Sequence, residues 1–432
     1  MTRRLLLATL GAVPLALSAT SPIDASRLRS RLEELSLCGR VAGGSFADGV
    51  SRVAFSDADI AGRALVMRWM RKAGLDPKID AAGNIFGRRA GSDSKLEPVL
   101  FGSHTDSVPN GGNFDGDLGT LSAIEVIEAL NAQRIVTRRP LEIVDWTNEE
   151  GVAYNNGLFG SRVVAGLLDP GEMDAVWQGV SQKDALKKIG GDAGRIDSAK
   201  RSAGWFHAYF ELHIEQGGNL DREKIPIGVV EGIVAIDRYE VEFRGFANHA
   251  GTTPMADRQD ALLAASELTI AVNEIVRGEP GRQVGTIGHM EVIPNAPNVV
   301  PGMVKMTVEL RDLSAAKILR LGGAVETRAR EIAAKTRTAL EFRKGSHHGS
   351  ALADPKLQTL IEDSSAKLGF ATKRLPSGAG HDAQSMARMG QMAMIFVPSV
   401  NGISHSPKEL TRWEDCANGA AVLLETVRRA AS

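Results

Sequence analysis

Two stretches of the chain have the character of strands buried on both faces, and each ends in polar residues. The first, PVLFGSHTDSV, runs into His104 and Asp106, and the second, LEIVDWTNEE, ends in Glu149 and Glu150. A helix-like stretch at residues 119–134 separates them. Buried strands that alternate with helices indicate a parallel sheet covered on both faces, and ligands bind at the carboxyl ends of such strands.

The middle of the chain shows a different order of predicted elements. Between residues 228 and 344 we predict a strand (228–244), a helix, two strands, a helix and a last strand. This β-α-β-β-α-β order is typical of a ferredoxin-like domain. We therefore predict an α/β fold in which residues 26–227 and 345–432 form a mixed, mostly parallel sheet flanked by helices. Residues 228–344 are inserted into it as a smaller α+β domain.

The first 25 residues are typical of an export signal. Arg3 and Arg4 precede an apolar stretch, Leu5–Leu17, that is too short to span a bilayer, and small residues follow it. The TRRLLL start also resembles a twin-arginine signal. We predict a signal peptide over residues 1–25 and a periplasmic or exported protein. The alternative is a cytoplasmic protein whose first residues form an amphipathic helix.

Composition limits the choice of partners. The 432-residue chain has a formal net charge of -1, which gives no electrostatic reason to expect nucleic acid or an anionic membrane surface as a partner. No later segment has the length of a transmembrane helix, so we expect no stable membrane association. The two cysteines, Cys38 and Cys416, exclude a disulfide framework and a CxxC metal site.

Candidate chemical groups follow the predicted strands. His104 and Asp106 face the same side of an extended chain because one residue separates them, and Asp115 follows in a glycine-rich loop. Taken singly, these three residues also suit a core histidine, a helix cap and a turn. The pair Glu149 and Glu150 alone suits a solvated loop, but the run before it is apolar. Their shared place at strand ends favours a functional cluster.

Two further histidines lie in or just after apolar strands. His213 lies in FELHIEQGG and His405 in VPSVNGISHSP. With the residues above they form a set of histidines and carboxylates without a thiolate, which suits zinc, or manganese or cobalt in its place. Five such ligands and one further glutamate are enough for two metal ions that share a bridging carboxylate and activate a water.

Five segments of the chain together resemble one known family. GSHTDSVPNGGNFDGDLG, TNEEG, LHIEQG, NHAGTTPM and SHSP are similar to the amidase/hydantoinase/carbamoylase family of binuclear metal amidohydrolases. This family includes hydrolases of N-carbamoyl-L-amino acids, allantoate and β-ureidopropionate, and it is related to aminoacylases and carboxypeptidase-like metallopeptidases. The resemblance covers about residues 28–430. It implies a metallo-exopeptidase-like fold whose inserted domain serves as a lid and in dimerisation.

The resemblance implies a role for each candidate metal ligand. His104, Asp115 and His213 would hold one divalent ion. Asp115 would bridge to a second ion, which Glu150 and His405 would also hold. The implied cofactor is therefore two divalent metal ions per subunit, with zinc expected and manganese or cobalt as alternatives.

The same resemblance implies three catalytic residues. Glu149 would act as the general base that takes a proton from water and passes it to the leaving nitrogen. Asp106 would orient His104 from behind. His249, in FANHAGTTPM, would donate a hydrogen bond to the oxyanion of the reaction intermediate from the partner subunit. These roles imply a homodimer whose active sites are completed across subunits.

Substrate-binding residues are also implied by the resemblance. Asn298 and Arg311 would bind the carboxylate of the substrate, and Gln216, Gly378 and His381 would line its pocket. From the residues alone, Asn298 belongs to a proline-rich turn, Arg311 suits a surface ion pair and His381 suits a helix start. The sequence therefore leaves both interpretations of these three residues open.

We predict a metal-dependent hydrolase of linear amide bonds other than peptide bonds. Its reaction would remove the carbamoyl group of an N-carbamoyl-L-amino acid or of a ureido acid such as allantoate. The first alternative is an aminoacylase or exopeptidase on the same scaffold. The second is a binding protein that has lost its metal ions, which the complete set of ligand positions disfavours. The individual substrate and the native metal stay open.

Overall fold

The computed structural model of the protein describes residues 22–432, so almost all of the predicted leader lies outside the described residues. Ile23 is buried in the main hydrophobic core, and the Asp24 side chain accepts a hydrogen bond from the amide of Arg27 at the start of the first helix. Residues 23–25, which lie inside the predicted leader, are therefore part of the folded structure.

The described residues form the following strands and α-helices. The strands are β1 (Lys78–Ile79), β2 (Ile85–Arg89), β3 (Val99–His104), β4 (Leu141–Trp146), β5 (Val176–Trp177), β6 (Val180–Ser181), β7 (Ala208–Ile214), β8 (Ile227–Ile233), β9 (Ala235–Arg244), β10 (Asn248–His249), β11 (Val284–Ile293), β12 (Val299–Val300), β13 (Met303–Asp312), β14 (Ala339–His348), β15 (Ala351–Leu352), β16 (Thr372–Ser377) and β17 (Met392–Val397). The helices are α1 (Ala25–Leu35), α2 (Asp57–Lys72), α3 (Asp117–Ala132), α4 (Phe159–Val164), α5 (Gln182–Lys188), α6 (Asn219–Glu223), α7 (Ala261–Gly278), α8 (Ala315–Thr336), α9 (Pro355–Lys367), α10 (Asp382–Met386) and α11 (Trp413–Ala430).

Nine strands of the described chain form a large sheet in the order β1-β2-β4-β3-β7-β17-β8-β15, with β16 also paired to β8. At its centre β4, β3, β7 and β17 are parallel, whereas β1, β2 and β15 pair antiparallel towards the edges. The four central strands are buried along their whole length because helices such as α3 and α11 pack against them. This arrangement confirms the predicted mixed sheet flanked by helices.

A second, four-stranded sheet has the order β11-β13-β9-β14, and all of its pairs are antiparallel. The helices α7 and α8 pack against each other and against this sheet, and their apolar residues form a separate core. The chain order β9-α7-β11-β13-α8-β14 is the predicted β-α-β-β-α-β order. We call this unit the small domain and the unit built on the large sheet the large domain.

The predicted strand over residues 228–244 is wrong as a single element. The structure divides it into β8, which joins the large sheet, and β9, which joins the small sheet. The small domain also extends to His348, beyond the predicted limit of residue 344. Within residues 22–432, none of the helices combines the length and apolar character needed to cross a bilayer.

Candidate active site

The carboxyl ends of the central parallel strands bring the candidate metal ligands together. His104 is the last residue of β3, Glu149 and Glu150 follow β4, His213 lies in β7, and His405 follows β17. These four strands are neighbours in the sheet, so residues that are up to 301 positions apart in the sequence meet at one edge (405 − 104).

Five side chains form two groups of possible metal ligands that share Asp115. In one group Asp115 Oδ1 lies 3.7 Å from His104 Nε2 and 3.1 Å from His213 Nε2. In the other, His405 Nε2 lies 3.5 Å from Asp115 Oδ2 and 3.4 Å from Glu150 Oε2. The ligand atoms of each group lie within 4.8 Å of one another. A carboxylate with one oxygen in each group can bridge two cations.

His104 provides a test of whether this site suits a metal ion. Its Nδ1 lies 3.0 Å from the carbonyl oxygen of Asp106 and donates to it, which leaves Nε2 unprotonated. Burial lowers the pKa of His104 to about 4, so the ring is neutral at ordinary pH. Its Nε2 is buried and has no hydrogen-bond partner among the described residues. A buried, unpaired nitrogen that faces carboxylates fits a cation, and we conclude that the site suits divalent metal ions.

The carboxylates of the site need compensating positive charge. Burial and then the neighbouring Glu150 raise the pKa of Glu149 well above its usual value. Burial and then Asp115 do the same to the pKa of Glu150. Burial also opposes ionisation of Asp115, but His213 and the other histidines hold its pKa well below the usual value. Divalent cations at the two groups would favour the ionised form of all three carboxylates.

Glu149 and Glu150 have different neighbours although they are adjacent. Glu150 belongs to the second ligand group, whereas Glu149 belongs to neither group. Glu149 Oε2 nevertheless lies 3.8 Å from His104 Nε2, at the edge of the first group. This position suits a base that acts beside the metal ions and does not bind them.

Asp106 was expected to orient His104, and it contacts this residue through its backbone carbonyl and not through its carboxylate. Its carbonyl oxygen accepts the hydrogen bond from His104, whereas its carboxylate lies 3.8 Å from the ring. The carboxylate accepts hydrogen bonds from the backbone amides of Glu149 (3.0 Å) and Glu150 (3.3 Å). Asp106 therefore connects the end of β3 to the loop after β4.

The backbone around the site is constrained in several places. Asn148, Gln216 and His405 have φ angles of 53°, 57° and 53°, in the left-handed region that non-glycine residues rarely adopt. Gly116 has a φ of 66°, and a Cβ atom there would lie 2.3 Å from the His104 ring. Unfavourable backbone of this kind persists where the surrounding structure holds it, commonly at functional sites.

Two of the predicted substrate-binding residues line the cleft at the metal site, which has a volume of about 230 Å³. Gln216 donates from Nε2 to Asp115 Oδ2 at 2.7 Å. His381 is buried, packs edge-on against His213 at 4.5 Å between ring centroids, and bonds to Ser377 through Nε2. Gly378 is exposed and lies just outside the cleft lining.

The predicted catalytic residue His249 and the predicted substrate-binding residues Asn298 and Arg311 belong to the small domain and do not line this cleft within the described chain. Both His249, the last residue of β10, and Asn298, which precedes β12, are exposed at the short ribbon that these two strands form. His249 Nδ1 accepts hydrogen bonds from the amides of Gly251 and Thr252, which makes Nε2 the donor of the neutral ring. Arg311 donates to Glu309 and, at 2.5 Å, to the carbonyl of Gly378.

Ser404 and Glu409 were not identified from the sequence, and both form hydrogen bonds with Asp115, the residue shared by the two ligand groups. Glu409 Oε1 accepts hydrogen bonds from the amides of Phe114 (3.0 Å) and Asp115 (3.1 Å). Ser404 Oγ lies 2.8 Å from Asp115 Oδ2 and 2.9 Å from Glu409 Oε2. In the sequence, Glu409 is an acidic residue four positions after His405, and nothing distinguishes it from a solvated loop residue.

A mixed α/β sheet with joined histidine and carboxylate groups at its strand ends defines the class of metallopeptidase-like hydrolases. Comparison with known proteins gives the family. Residues 100–429 match the profile of peptidase family M20/M25/M40, and the chain belongs to this family. The match confirms the kinship with metallopeptidases that the sequence motifs indicated.

Several relatives place the chain more narrowly within this family. It is 39% identical over 406 residues to an N-carbamoyl-L-amino acid amidohydrolase of Geobacillus stearothermophilus, covering 94% of this chain and 98% of that one. It is 36% identical to a ureidoglycolate hydrolase of Arabidopsis thaliana, covering 96% and 88%. A crystal structure of a hydantoinase/carbamoylase family amidase from Burkholderia multivorans aligns with a TM-score of 0.88, 37% identity and coverage of 95% and 98%. The predicted resemblance to this family is confirmed.

Proposed function

We propose that the protein hydrolyses the carbamoyl C–N bond of an N-carbamoyl-L-amino acid or a related ureido acid and depends on divalent metal ions. The observation that carries the proposal is the position of Glu149, which lies beside two joined ligand groups without belonging to either. The activities named for the relatives, on N-carbamoyl-L-amino acids and ureidoglycolate, supply the substrate class.

His104, Asp115, His213, Glu150 and His405 would hold two divalent ions, with zinc, manganese or cobalt suited to this donor set. When bound, such ions polarise the ureido carbonyl group and lower the pKa of the attacking water. Glu149 accepts a proton from that water as its oxygen adds to the ureido carbon. Glu149 then delivers the proton to the departing nitrogen as the C–N bond breaks. The resulting carbamate decomposes, and the products are the amino acid, ammonia and carbon dioxide.

The small domain supplies the remaining groups in this proposal. His249 Nε2 would donate to the oxyanion, and Asn298 and Arg311 would bind the substrate carboxylate. His249 and Asn298 are exposed and lie outside the cleft lining of their own chain. We therefore propose that they serve the active site of the partner subunit in a homodimer.

A substrate panel tests the function. The enzyme is stripped with chelator, reloaded with zinc, manganese or cobalt, and assayed on N-carbamoyl-L-amino acids, ureidoglycolate, allantoate, N-acetyl-L-amino acids and dipeptides. Ammonia release from the ureido acids that depends on added metal is expected. Faster cleavage of the acetyl or peptide bonds would instead favour an aminoacylase or exopeptidase.

We also propose that the N-terminal leader exports the protein, on the strength of the TRRLLL start and the apolar run after it. Cell fractionation of the full chain and of an Arg3→Lys, Arg4→Lys double variant tests this. The full chain should be found outside the cytoplasm and the variant inside. Equal cytoplasmic retention of both would exclude export by this signal.

A further inference from the structure

A second cleft adjoins the metal site, between the large and the small domain. It has a volume of about 690 Å³, and Leu158 and Gly380 line both this cleft and the metal cleft. Its lining includes residues 154–158, which we call the clamp loop, and Ile236 and Arg238 of β9. A substrate held at the metal site can therefore extend a substituent into this space, which we call the side-chain cleft.

The clamp loop has a defined shape that costs conformational energy. Tyr154, Asn155 and Leu158 have φ angles of 63°, 53° and 56°, all in the left-handed region. Asn148 holds the loop by donating from Nδ2 to Asn156 Oδ1 at 2.9 Å. Three such residues in a five-residue loop indicate a wall that is set in advance of ligand binding.

The arginine and carboxylate side chains that line the side-chain cleft are already paired within the protein. Arg162 donates to Glu172 at 3.0 Å, and Arg238 donates to Glu309 at 2.7 Å. His347, which also lines the cleft, is hydrogen-bonded to the buried carboxylate of Asp237. The charged residues therefore give no strong preference for an acidic or a basic substituent. The large apolar side chains with exposed surface in the cleft are Tyr154, Leu158 and Ile236, which are half-buried, and Leu167, which is exposed.

We propose that the side-chain cleft receives the amino-acid side chain of the substrate. The enzyme then prefers N-carbamoyl-L-amino acids with a bulky aromatic or branched aliphatic side chain over ureido acids that carry none. A bulky apolar group removes the surfaces of Tyr154, Leu158 and Ile236 from water, whereas a glycine-derived ureido acid leaves them hydrated. The inference rests on the proposed function, because it names the substrate class of the same site.

The test compares kcat/KM of the metal-loaded enzyme for N-carbamoyl-L-phenylalanine and N-carbamoylglycine. We expect a preference for the phenylalanine derivative of about tenfold or more. Ile236→Trp fills the cleft and should lower this ratio by about tenfold, mainly through the KM of the bulky substrate. Val136→Trp places the same side chain at an exposed apolar position outside the cleft and should leave the ratio unchanged.

Two results would overturn the inference while leaving the proposed function intact. One is a wild-type preference for N-carbamoylglycine or ureidoglycolate. The other is an equal loss on both substrates in a folded Ile236→Trp protein. If that variant does not fold, Ile236→Ala widens the cleft and should move the preference towards N-carbamoyl-L-tryptophan, and an unchanged preference would also reject the proposal. Failure to hydrolyse any ureido acid would instead reject the proposed function, and the inference with it.

Discussion

At the scale of single residues, the proposed mechanism assigns proton transfer to Glu149 and metal binding to Glu150. Glu150 Oε2 lies 3.4 Å from His405 Nε2, whereas Glu149 is outside both ligand groups. We expect Glu149→Gln to keep its metal content and to lose roughly 10²–10⁴-fold in kcat, since an amide cannot accept the proton. Glu150→Gln should lose metal first. Metal analysis after dialysis and steady-state kinetics measure the two effects.

The control for this pair is Glu414→Gln, which makes the same change at an exposed position at the start of α11. It should match the wild type in metal content and in kcat. Loss of metal from Glu149→Gln, with full retention in Glu150→Gln, would reverse the two roles.

Glu409 holds Asp115, the proposed bridging ligand, in place but belongs to neither group of candidate metal ligands. Its carboxylate accepts from the amides of Phe114 and Asp115 and contacts Ser404 Oγ. In Glu409→Ala all of these contacts are lost, so the two amides have no side-chain acceptor and Asp115 is held less firmly. We expect metal affinity to fall roughly 10–100-fold, as measured by competition with a chromophoric chelator. Unchanged affinity would show that Asp115 keeps its position without Glu409.

The strand-end residues of the site could be predicted from the sequence, but their supports could not. His104 and Glu150 follow apolar runs that mark buried strands, so their meeting at one sheet edge follows from the fold class. Glu409 accepts hydrogen bonds from the amides of Phe114 and Asp115, almost 300 positions away in the sequence. The hydrogen bond from His104 to the carbonyl of Asp106 depends on local backbone shape. Neither contact leaves a pattern in residue type or spacing.

At the scale of elements, the boundary between β8 and β9 could not be predicted from the pattern of apolar residues. GVVEGIVAIDRYEVEFR, residues 228–244, has no proline or turn sequence and therefore predicts one strand. In the structure the chain leaves the large sheet at Ile233 and enters the small sheet at Ala235. Which sheet a strand joins depends on its partners. These are β15, β16 and β17 for β8, and β13 and β14 for β9. That information is not present in the strand itself.

The turn that opens α3 depends on glycine at position 116. Gly116→Ala would place a methyl group 2.3 Å from the His104 ring at a φ of 66°. We expect the variant to lose roughly 1–3 kcal/mol in the free energy of unfolding, and to bind metal more weakly because His104 must move. Denaturant unfolding with and without added zinc measures both effects.

Gly323→Ala is the matched control for this change. Gly323 is exposed within α8 and has no atom within 4 Å of a Cβ built there, so the same substitution should stabilise the protein by about 0.5–1 kcal/mol. An unaltered stability and metal affinity in Gly116→Ala would show that the loop can shift away from His104 at no cost.

At the scale of the whole molecule, the groups proposed for one reaction lie in two places on a single chain. Glu149 and four of the five candidate metal ligands line the cleft of the large domain, whereas His249 is exposed on the small domain outside that lining. A lid movement within one chain or a partner subunit could bring His249 to a metal site. The two arrangements differ in what a mixed dimer can do, because only the second lets one chain supply what the other lacks.

The decisive experiment co-expresses Glu149→Ala and His249→Ala chains that carry different tags. Each variant alone should be inactive, and His249→Ala should keep its metal ions. In the purified hybrid dimer, the His249→Ala chain retains Glu149 and would receive His249 from its partner, so one of its two sites is complete. We expect about half of the wild-type activity per hybrid dimer. A hybrid as inactive as its parents, or a monomeric wild-type protein by light scattering, would place His249 in the site of its own chain.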